Sequence, residues 1–109
     1  MEKNIFEPGN KFRFTDSVDY STDGIISKRI LDRSVGNVTL FSFDKGQRLS
    51  EHSAPFDAMV QVVEGSAEII INKNPYQLSA GDTIIMPANI PHAVNATEKF
   101  KMVLTMIKG

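Results

Sequence analysis

Short apolar runs alternate with turns along most of the chain. Their residues are largely β-branched or aromatic, which favours strands over helices. Glycine, proline, asparagine and aspartate separate the runs about every eight to twelve residues. The runs lie at 38–43, 58–63, 67–72, 76–78, 83–86, 91–94 and 100–107. Because no long segment shows a helical period, the pattern predicts an all-β sandwich or barrel of roughly nine short strands.

Two stretches of this pattern need closer interpretation. The apolar residues of 25–31 fit one face of a short helix, but about two turns are marginal without strong packing. Its β-branched residues favour a strand instead. Further on, the runs 58–63 and 67–72 meet at Glu64-Gly65, which predicts a hairpin.

The first 24 residues differ from the rest of the chain because they are polar and rich in turn formers. Phe12 and Phe14 alternate with polar residues there, which predicts a short edge strand. We therefore expect an N-terminal arm over 1–24, ordered by packing on the body or on a partner, and a barrel domain over 25–109.

The last predicted strand has apolar residues on both faces. Phe100, Met102, Leu104 and Met106 share the face that we expect to line the barrel interior. Val103 and Ile107 fall on the opposite face, which in an antiparallel sheet is more often polar. An apolar outer face indicates a partner surface, so the pattern predicts a homodimer.

Composition narrows the classes of function. The chain has 109 residues, 41% of them hydrophobic, which suits one domain with a packed core. Twelve basic and thirteen acidic side chains give a net charge of −1, so no basic field exists to hold nucleic acid. There are no cysteines, which excludes disulfides and thiol catalysis. The N-terminus does not read as a signal peptide and no run is long enough for a membrane helix, so we expect a soluble cytoplasmic protein without membrane partners.

The only two histidines lie in two glycine-initiated segments. In the first, Gly46, His52 and Gly65 have the spacing of a Gly, five residues, His-x-His, then Glu and Gly. In the second, Gly81 and His92 fit a Gly, five residues, Pro-x-Gly, two residues, His pattern, with its proline at position 87. These two segments resemble the two motifs of the cupin superfamily, and the resemblance covers about residues 35–107.

The sequence departs from the cupin motifs at their metal-binding positions. Ala54 stands where the family has its second histidine, and Ala58 where it has a glutamate. Asn89 replaces a glycine and keeps a residue that tolerates positive φ. Asn95 falls one residue short of the family asparagine. The resemblance therefore implies the scaffold, a double-stranded β-helix, with two of four ligands missing.

This resemblance implies a site at which the two imidazoles meet inside the barrel. By strand alternation Ser50, His52 and Ala54 should share one face. We expect His52 and His92 to hold a divalent metal, such as Zn, Mn, Fe or Ni, only weakly. Asp57 should point outward, which makes it a poor third ligand. The expected small-molecule pocket comprises His52, His92, Ala54, Ala58, Val60, Met102 and Met106.

Several functions remain open at this stage. Two buried histidines can simply be hydrogen-bonded to each other, to Ser50 or to water. We favour a small-molecule-binding cupin with a reduced two-histidine centre and no identified catalytic residue. The alternatives are a metal-dependent oxygenase or isomerase that uses His52, His92 and a further ligand, and a structural dimer whose pocket is vestigial.

Overall fold

A computed structural model describes residues 5–108, which contain eight β-strands and one short 3₁₀ helix at Phe14–Asp16. The strands are β1 (Ile25–Arg33), β2 (Gly36–Phe43), β3 (Arg48–His52), β4 (Asp57–Ile71), β5 (Asn74–Ser79), β6 (Thr83–Met86), β7 (His92–Asn95) and β8 (Phe100–Ile107). No helix in this part of the chain is long and apolar enough to cross a membrane.

The strands form two antiparallel sheets that share β4. The five-stranded sheet has the order β1-β2-β8-β4-β6, and the four-stranded sheet has the order β3-β7-β4-β5. The first half of β4 pairs with β8 and β6, and its second half pairs with β7 and β5. This curled arrangement confirms the predicted all-β, double-stranded β-helix.

The predicted hairpin at Glu64-Gly65 is wrong, because β4 runs through it as one strand of 15 residues. Gly65 lies opposite Phe100 and has a φ of 76°, a conformation that glycine adopts without a steric cost. A Cβ at this position would collide with the carbonyl oxygen of Lys99. The glycine therefore marks a close approach of two strands, and a bulge between Val62 and Glu64 re-aims the strand there.

The predicted edge strand around Phe12 and Phe14 is wrong. Residues 5–24 contain no strand, and Phe14 begins a single 3₁₀ turn that the amide of Ser17 closes by bonding the Phe14 carbonyl at 3.1 Å. By contrast, the ambiguous stretch 25–31 lies within β1, as its β-branched residues indicated. Residues 1–4 and 109 lie outside the described part, and the division into an arm over 1–24 and a barrel domain over 25–109 stays a prediction.

Residues 14–20 pack on the outer face of the five-stranded sheet. Val18 joins Leu40 and Val103 in a small cluster whose members are at most 2% exposed. Next to it, the buried Lys101 donates to the carbonyl oxygen of Thr15 at 2.5 Å. Val103 is thus covered by the chain itself, which removes one of the two residues that predicted a partner surface.

The main core lies between the two sheets. Phe43 and Phe100 stack with ring centroids 4.6 Å apart, and both are fully buried. Met102 joins the same cluster and Leu104 packs against its edge, so the predicted inner face of the last strand is confirmed. The core ends before Met106, and the space beyond it is a cavity at the mouth of the barrel.

Candidate functional site: a histidine pair beside a mouth cavity

The two histidines come together although 40 residues separate them in sequence. β3 and β7 pair with His52 directly opposite His92, so both side chains point to the same face of the four-stranded sheet. Their rings lie edge to face with centroids 4.4 Å apart, and their Nε2 atoms are 3.2 Å apart. We call these two residues the histidine pair.

A bulge in β3 aims His52 at its partner. Leu49 lies opposite Val94 and His52 opposite His92, so β3 holds one residue more than β7 over this interval. His52 therefore shares the face of Leu49, and the expectation that Ser50 shares it is wrong. Ser50 instead serves through its backbone, because its carbonyl oxygen accepts a hydrogen bond from Nδ1 of His52 at 2.8 Å.

The contacts of the histidine pair outnumber its protons. Nδ1 of His92 lies 3.3 Å from the carbonyl oxygen of Ile90, and Nδ1 of His52 has its own carbonyl partner. Each neutral imidazole carries one N–H, so two hydrogens serve two carbonyl contacts and the Nε2–Nε2 contact. One additional cation between the Nε2 atoms, either a proton or a metal ion, satisfies all three contacts.

The two rings sit in different surroundings. His92 is buried at 6% exposure, whereas His52 is exposed to solvent. Burial lowers the pKa of His92 first, and the neighbouring His52 lowers it further, against a smaller opposing effect of the Ile90 carbonyl. His92 therefore stays neutral at pH 7, the form in which imidazole binds metals.

The other predicted pocket residues divide into two groups. Ala58, Val60 and Met102 are at most 3% exposed and belong to the packed core. Ala54 and Met106 instead line a cavity of about 560 Å³ between the five-stranded sheet and the loop after β3. We call it the mouth cavity.

The mouth cavity has a polar side and an apolar side. Its polar and charged lining consists of Ser27, Arg29, Asn37, Thr39 and Lys108. Its apolar lining consists of Phe41, Ala54, Phe56, Leu104 and Met106.

Sequence reasoning missed most of this lining. Ser27 and Arg29 follow Ile25 at two-residue spacing, so alternation along β1 would have placed all three on one face. The sequence alone does not show that β1 pairs with β2, and this pairing is what turns that face toward the barrel interior.

The acidic residues do not complete a metal centre. The side-chain oxygen of Asp57 accepts a hydrogen bond from the amide of Ala88 at 2.9 Å, and Asp57 lines a groove with Met59 and Ile85. No group of three His, Cys, Asp or Glu residues that could hold a metal occurs within residues 5–108. The two Nε2 atoms are closer than two zinc–nitrogen bonds laid end to end, about 4 Å, so one ion can contact both. Residues 5–108 thus bring together two residues at ligand positions of the cupin motifs, His52 and His92.

Comparisons with known proteins bear on this site. The cupin domain family model matches residues 39–108. A conserved protein of unknown function from Streptococcus pyogenes is 40% identical, with a TM-score of 0.91, over 97% of this chain and 93% of its own. A cupin 2 conserved barrel domain protein from Leptotrichia buccalis is 39% identical, with a TM-score of 0.87, over 89% of this chain. This chain spans only 47% of that protein.

A third similar structure is an enzyme, but its likeness extends to the fold alone. The salicylate 1,2-dioxygenase of Pseudaminobacter salicylatoxidans is 16% identical, with a TM-score of 0.72, over 77% of this chain and 26% of its own. A comparison with curated proteins finds no match.

Proposed function

Because this chain belongs to the cupin family, we propose that it binds a small organic molecule in the mouth cavity, beside a reduced two-histidine centre. The observation that carries the proposal is the cavity itself. Its volume of about 560 Å³ falls within the range of small-molecule sites. Five of its ten lining residues are apolar and five are polar or charged, so it offers contacts to both the apolar and the polar part of a small organic molecule.

Neither histidine is among the residues that line this cavity, but the histidine pair is close to it in sequence. His52 is two residues from the cavity-lining Ala54, whose carbonyl oxygen accepts a hydrogen bond from the amide of Asn89 at 2.7 Å. That bond joins the loop after β3, which follows His52, to the loop before β7, which precedes His92. A divalent ion held by the two Nε2 atoms would supply a Lewis acid with open positions, and two imidazoles would hold it only weakly.

The second candidate is a metal-dependent enzyme of the oxygenase or isomerase type. The favouring observation is that the two Nε2 atoms face each other at 3.2 Å, as two ligands of one ion do. The similar fold of a salicylate dioxygenase is compatible with this candidate. It requires a further ligand from outside the described residues or from the substrate, because residues 5–108 offer none.

We also propose a homodimer, now on a different surface. A groove on the outer face of the five-stranded sheet reaches its edge strand β6 and is lined by Met59, Ile85, Thr105 and Ile107. Ile85 is 60% exposed and Ile107 66% exposed, and two large apolar residues this exposed in one groove indicate a partner surface. Light scattering should give a dimer that Ile85→Glu dissociates and that Leu31→Glu, at an exposed position outside the groove, leaves intact. A monomeric wild-type protein would reject it.

We also propose a cytoplasmic location. The chain contains no cysteine, which is compatible with the reducing conditions of the cytoplasm.

A cavity-blocking variant tests small-molecule binding. Ala54→Trp places an indole in the mouth cavity, whereas Ala80→Trp adds the same group at an exposed turn. A fragment library screened by NMR should yield ligands that bind wild type and Ala80→Trp but not Ala54→Trp. If the ligands bind all three proteins equally, the mouth cavity is not the binding site.

A further inference from the structure

The mouth cavity has a one-sided charge distribution. Two cationic side chains, Arg29 and Lys108, contribute to its lining, and no lining residue is acidic. The whole chain carries a net charge of −1, so this local excess of positive charge is contrary to the overall balance. Cations that line a cavity with low-dielectric walls attract anions more strongly than the same cations on an open surface.

The register of the five-stranded sheet orders the lining from polar to apolar. Across the inner face, Arg29 lies opposite Thr39, Thr39 opposite Leu104, and Leu104 opposite Val60. This row begins with a guanidinium at the edge strand and ends with a fully buried valine.

The neighbouring row has the same direction. Ser27 lies opposite Phe41, and Phe41 lies opposite the buried Met102. A ligand that fits both rows has its polar end toward β1 and its apolar end toward β8.

The second cation faces the cavity from its other side. Nζ of Lys108 lies 5.8 Å from the ring centroid of Phe56, which belongs to the loop after β3. Lys108 and Phe56 thus approach each other from the end of the five-stranded sheet and from that loop, and both line the cavity.

From this arrangement we propose that the ligand of the mouth cavity is an organic carboxylate with an apolar body. Arg29 binds the carboxylate, with the Thr39 hydroxyl available as a neutral donor, and Lys108 contributes positive charge from the other side of the cavity. Phe41, Phe56 and Leu104 contact the apolar body. The proposal rests on the small-molecule role proposed above and specifies the chemical class of the ligand.

One acidic residue competes for Arg29 without blocking it. Asp32 Oδ1 lies 3.3 Å from a guanidinium nitrogen of Arg29, and the two side chains are 65% and 49% exposed. An ion pair this exposed is weak, because water screens both charges. A carboxylate inside the cavity would be less screened, so Arg29 can exchange Asp32 for the ligand or bind both.

Matched pairs of probes test the charge requirement. Benzoate and butyrate carry the carboxylate, and benzamide and butyramide replace it by a neutral group of similar shape. Each probe is titrated into ¹⁵N-labelled protein, and the amide shifts of residues 39–41 and 104–106 report binding in the cavity. Arg29→Gln and Lys108→Gln remove one lining charge each, and Lys45→Gln, which pairs with Glu98 at the surface, is the control.

The proposal predicts that carboxylates bind more tightly than their amides. Arg29→Gln should weaken carboxylate binding by about tenfold or more, the effect of losing one charge-assisted hydrogen bond. Lys108→Gln should weaken it less, because it removes a positive charge of the cavity and no direct bond. Lys45→Gln should leave it unchanged. If carboxylates and amides bind equally, or the lining variants have no effect, the anionic class is wrong while the small-molecule role stands. If no probe of either class shifts the cavity signals, this proposal is rejected, and if a broad fragment library also fails, the small-molecule role fails with it.

Discussion

Nε2 of His52 and Nε2 of His92 lie 3.2 Å apart, while each Nδ1 faces a backbone carbonyl oxygen. The carbonyl oxygens can only accept, so they favour a proton on each Nδ1 and leave two lone pairs facing each other. Two facing lone pairs can share one positive charge, either a proton or a metal ion. Cupins of the four-ligand type provide two imidazoles at these positions together with a third histidine and a glutamate, whose positions are taken by Ala54 and Ala58 in this chain.

The buried imidazole should make stability depend on pH. The pKa of His92 is lowered in the native state by burial and by His52. Well above about pH 6.5, the ordinary pKa of histidine, His92 is neutral in both the native and the unfolded state and does not reduce the free energy of unfolding. As the pH falls below that value, the unfolded chain takes up the proton first, so the free energy of unfolding decreases until the pH passes below the native pKa.

Thermal unfolding between about pH 7.5 and about pH 5.5 measures this effect. Wild type should lose more stability over this interval than His92→Asn, which has no titrating group at that position. Equal losses in the two proteins would show that other groups cause the pH dependence.

Restoring the missing ligands should succeed at only one of the two positions. Ala54 lines the mouth cavity, so Ala54→His has room for the imidazole and should cost less than about 1 kcal/mol of stability. It creates a three-histidine set and should tighten zinc binding by about tenfold or more. Ala54→Gln, of similar size but a poor zinc ligand, is the control, and no gain in Ala54→His would mean that position 54 does not face the histidine pair.

Ala58→Glu should behave differently because Ala58 is 3% exposed within the core. Ala58 pairs with Met86 on one side and Met106 on the other, so a carboxylate there would be buried without a partner. The expected loss is about 3–5 kcal/mol, measured by urea unfolding without metal. Excess zinc should recover part of this loss in the Ala54→His, Ala58→Glu double variant. A single Ala58→Glu protein as stable as wild type would contradict the packed position of residue 58.

The close approach of β4 and the start of β8 at Gly65 should not tolerate a side chain. Gly65→Ala combines a positive φ with a collision between the new Cβ and the carbonyl oxygen of Lys99. We expect a loss of about 3 kcal/mol or more in urea unfolding. Gly46→Ala is the matched control, because Gly46 has a φ of 88° but no atom within 4 Å of the added Cβ. It should lose only about 1–2 kcal/mol for the backbone strain, and equal losses would show that the close approach has no energetic effect.

The N-terminal arm should depend on a hydrogen bond between Tyr20 and β4. The Tyr20 hydroxyl donates to Oε2 of Glu64 at 2.6 Å, and burial followed by Glu64 raises the pKa of Tyr20 above its usual value. Tyr20→Phe should therefore cost about 1–2 kcal/mol, whereas Tyr76→Phe at an exposed position should have little effect.

The sign of the Tyr20 shift gives a second readout. Because its pKa is raised in the native state, its contribution is present below about pH 10 and is lost as the pH rises above that value, where the unfolded chain ionises first. Wild type should therefore lose stability at alkaline pH, and Tyr20→Phe should lose less. The same alkaline loss in both proteins would contradict the Tyr20 assignment.

Local sequence pattern predicted the short strands well. β6 and β8 have the bounds that their apolar runs indicated, because Pro87 ends the first and turn residues flank the second. The same reasoning failed at Gly65, where a glycine between two apolar runs has the local signature of a hairpin. The role of Gly65 is to leave room for Lys99 and Phe100, which lie more than thirty positions away, so no local signal reveals it.

The candidate site was also predictable only where its signal is local in the sequence. Motif spacing identified His52 and His92, but alternation misplaced Ser50 because one extra residue in β3 shifts the face. The cations Arg29 and Lys108 lie outside both motifs, and only the pairing of β1, β2 and β8 brings them to one cavity.

Zinc titration calorimetry of the wild-type protein tests the two-histidine centre most directly. With two imidazoles as the only protein ligands, we expect a dissociation constant above about 1 μM, which corresponds to a binding free energy smaller in magnitude than about 8 kcal/mol. His52→Asn and His92→Asn should each abolish that binding. One zinc ion per chain bound with a nanomolar dissociation constant, or zinc binding that survives the loss of either histidine, would contradict a centre with only these two protein ligands.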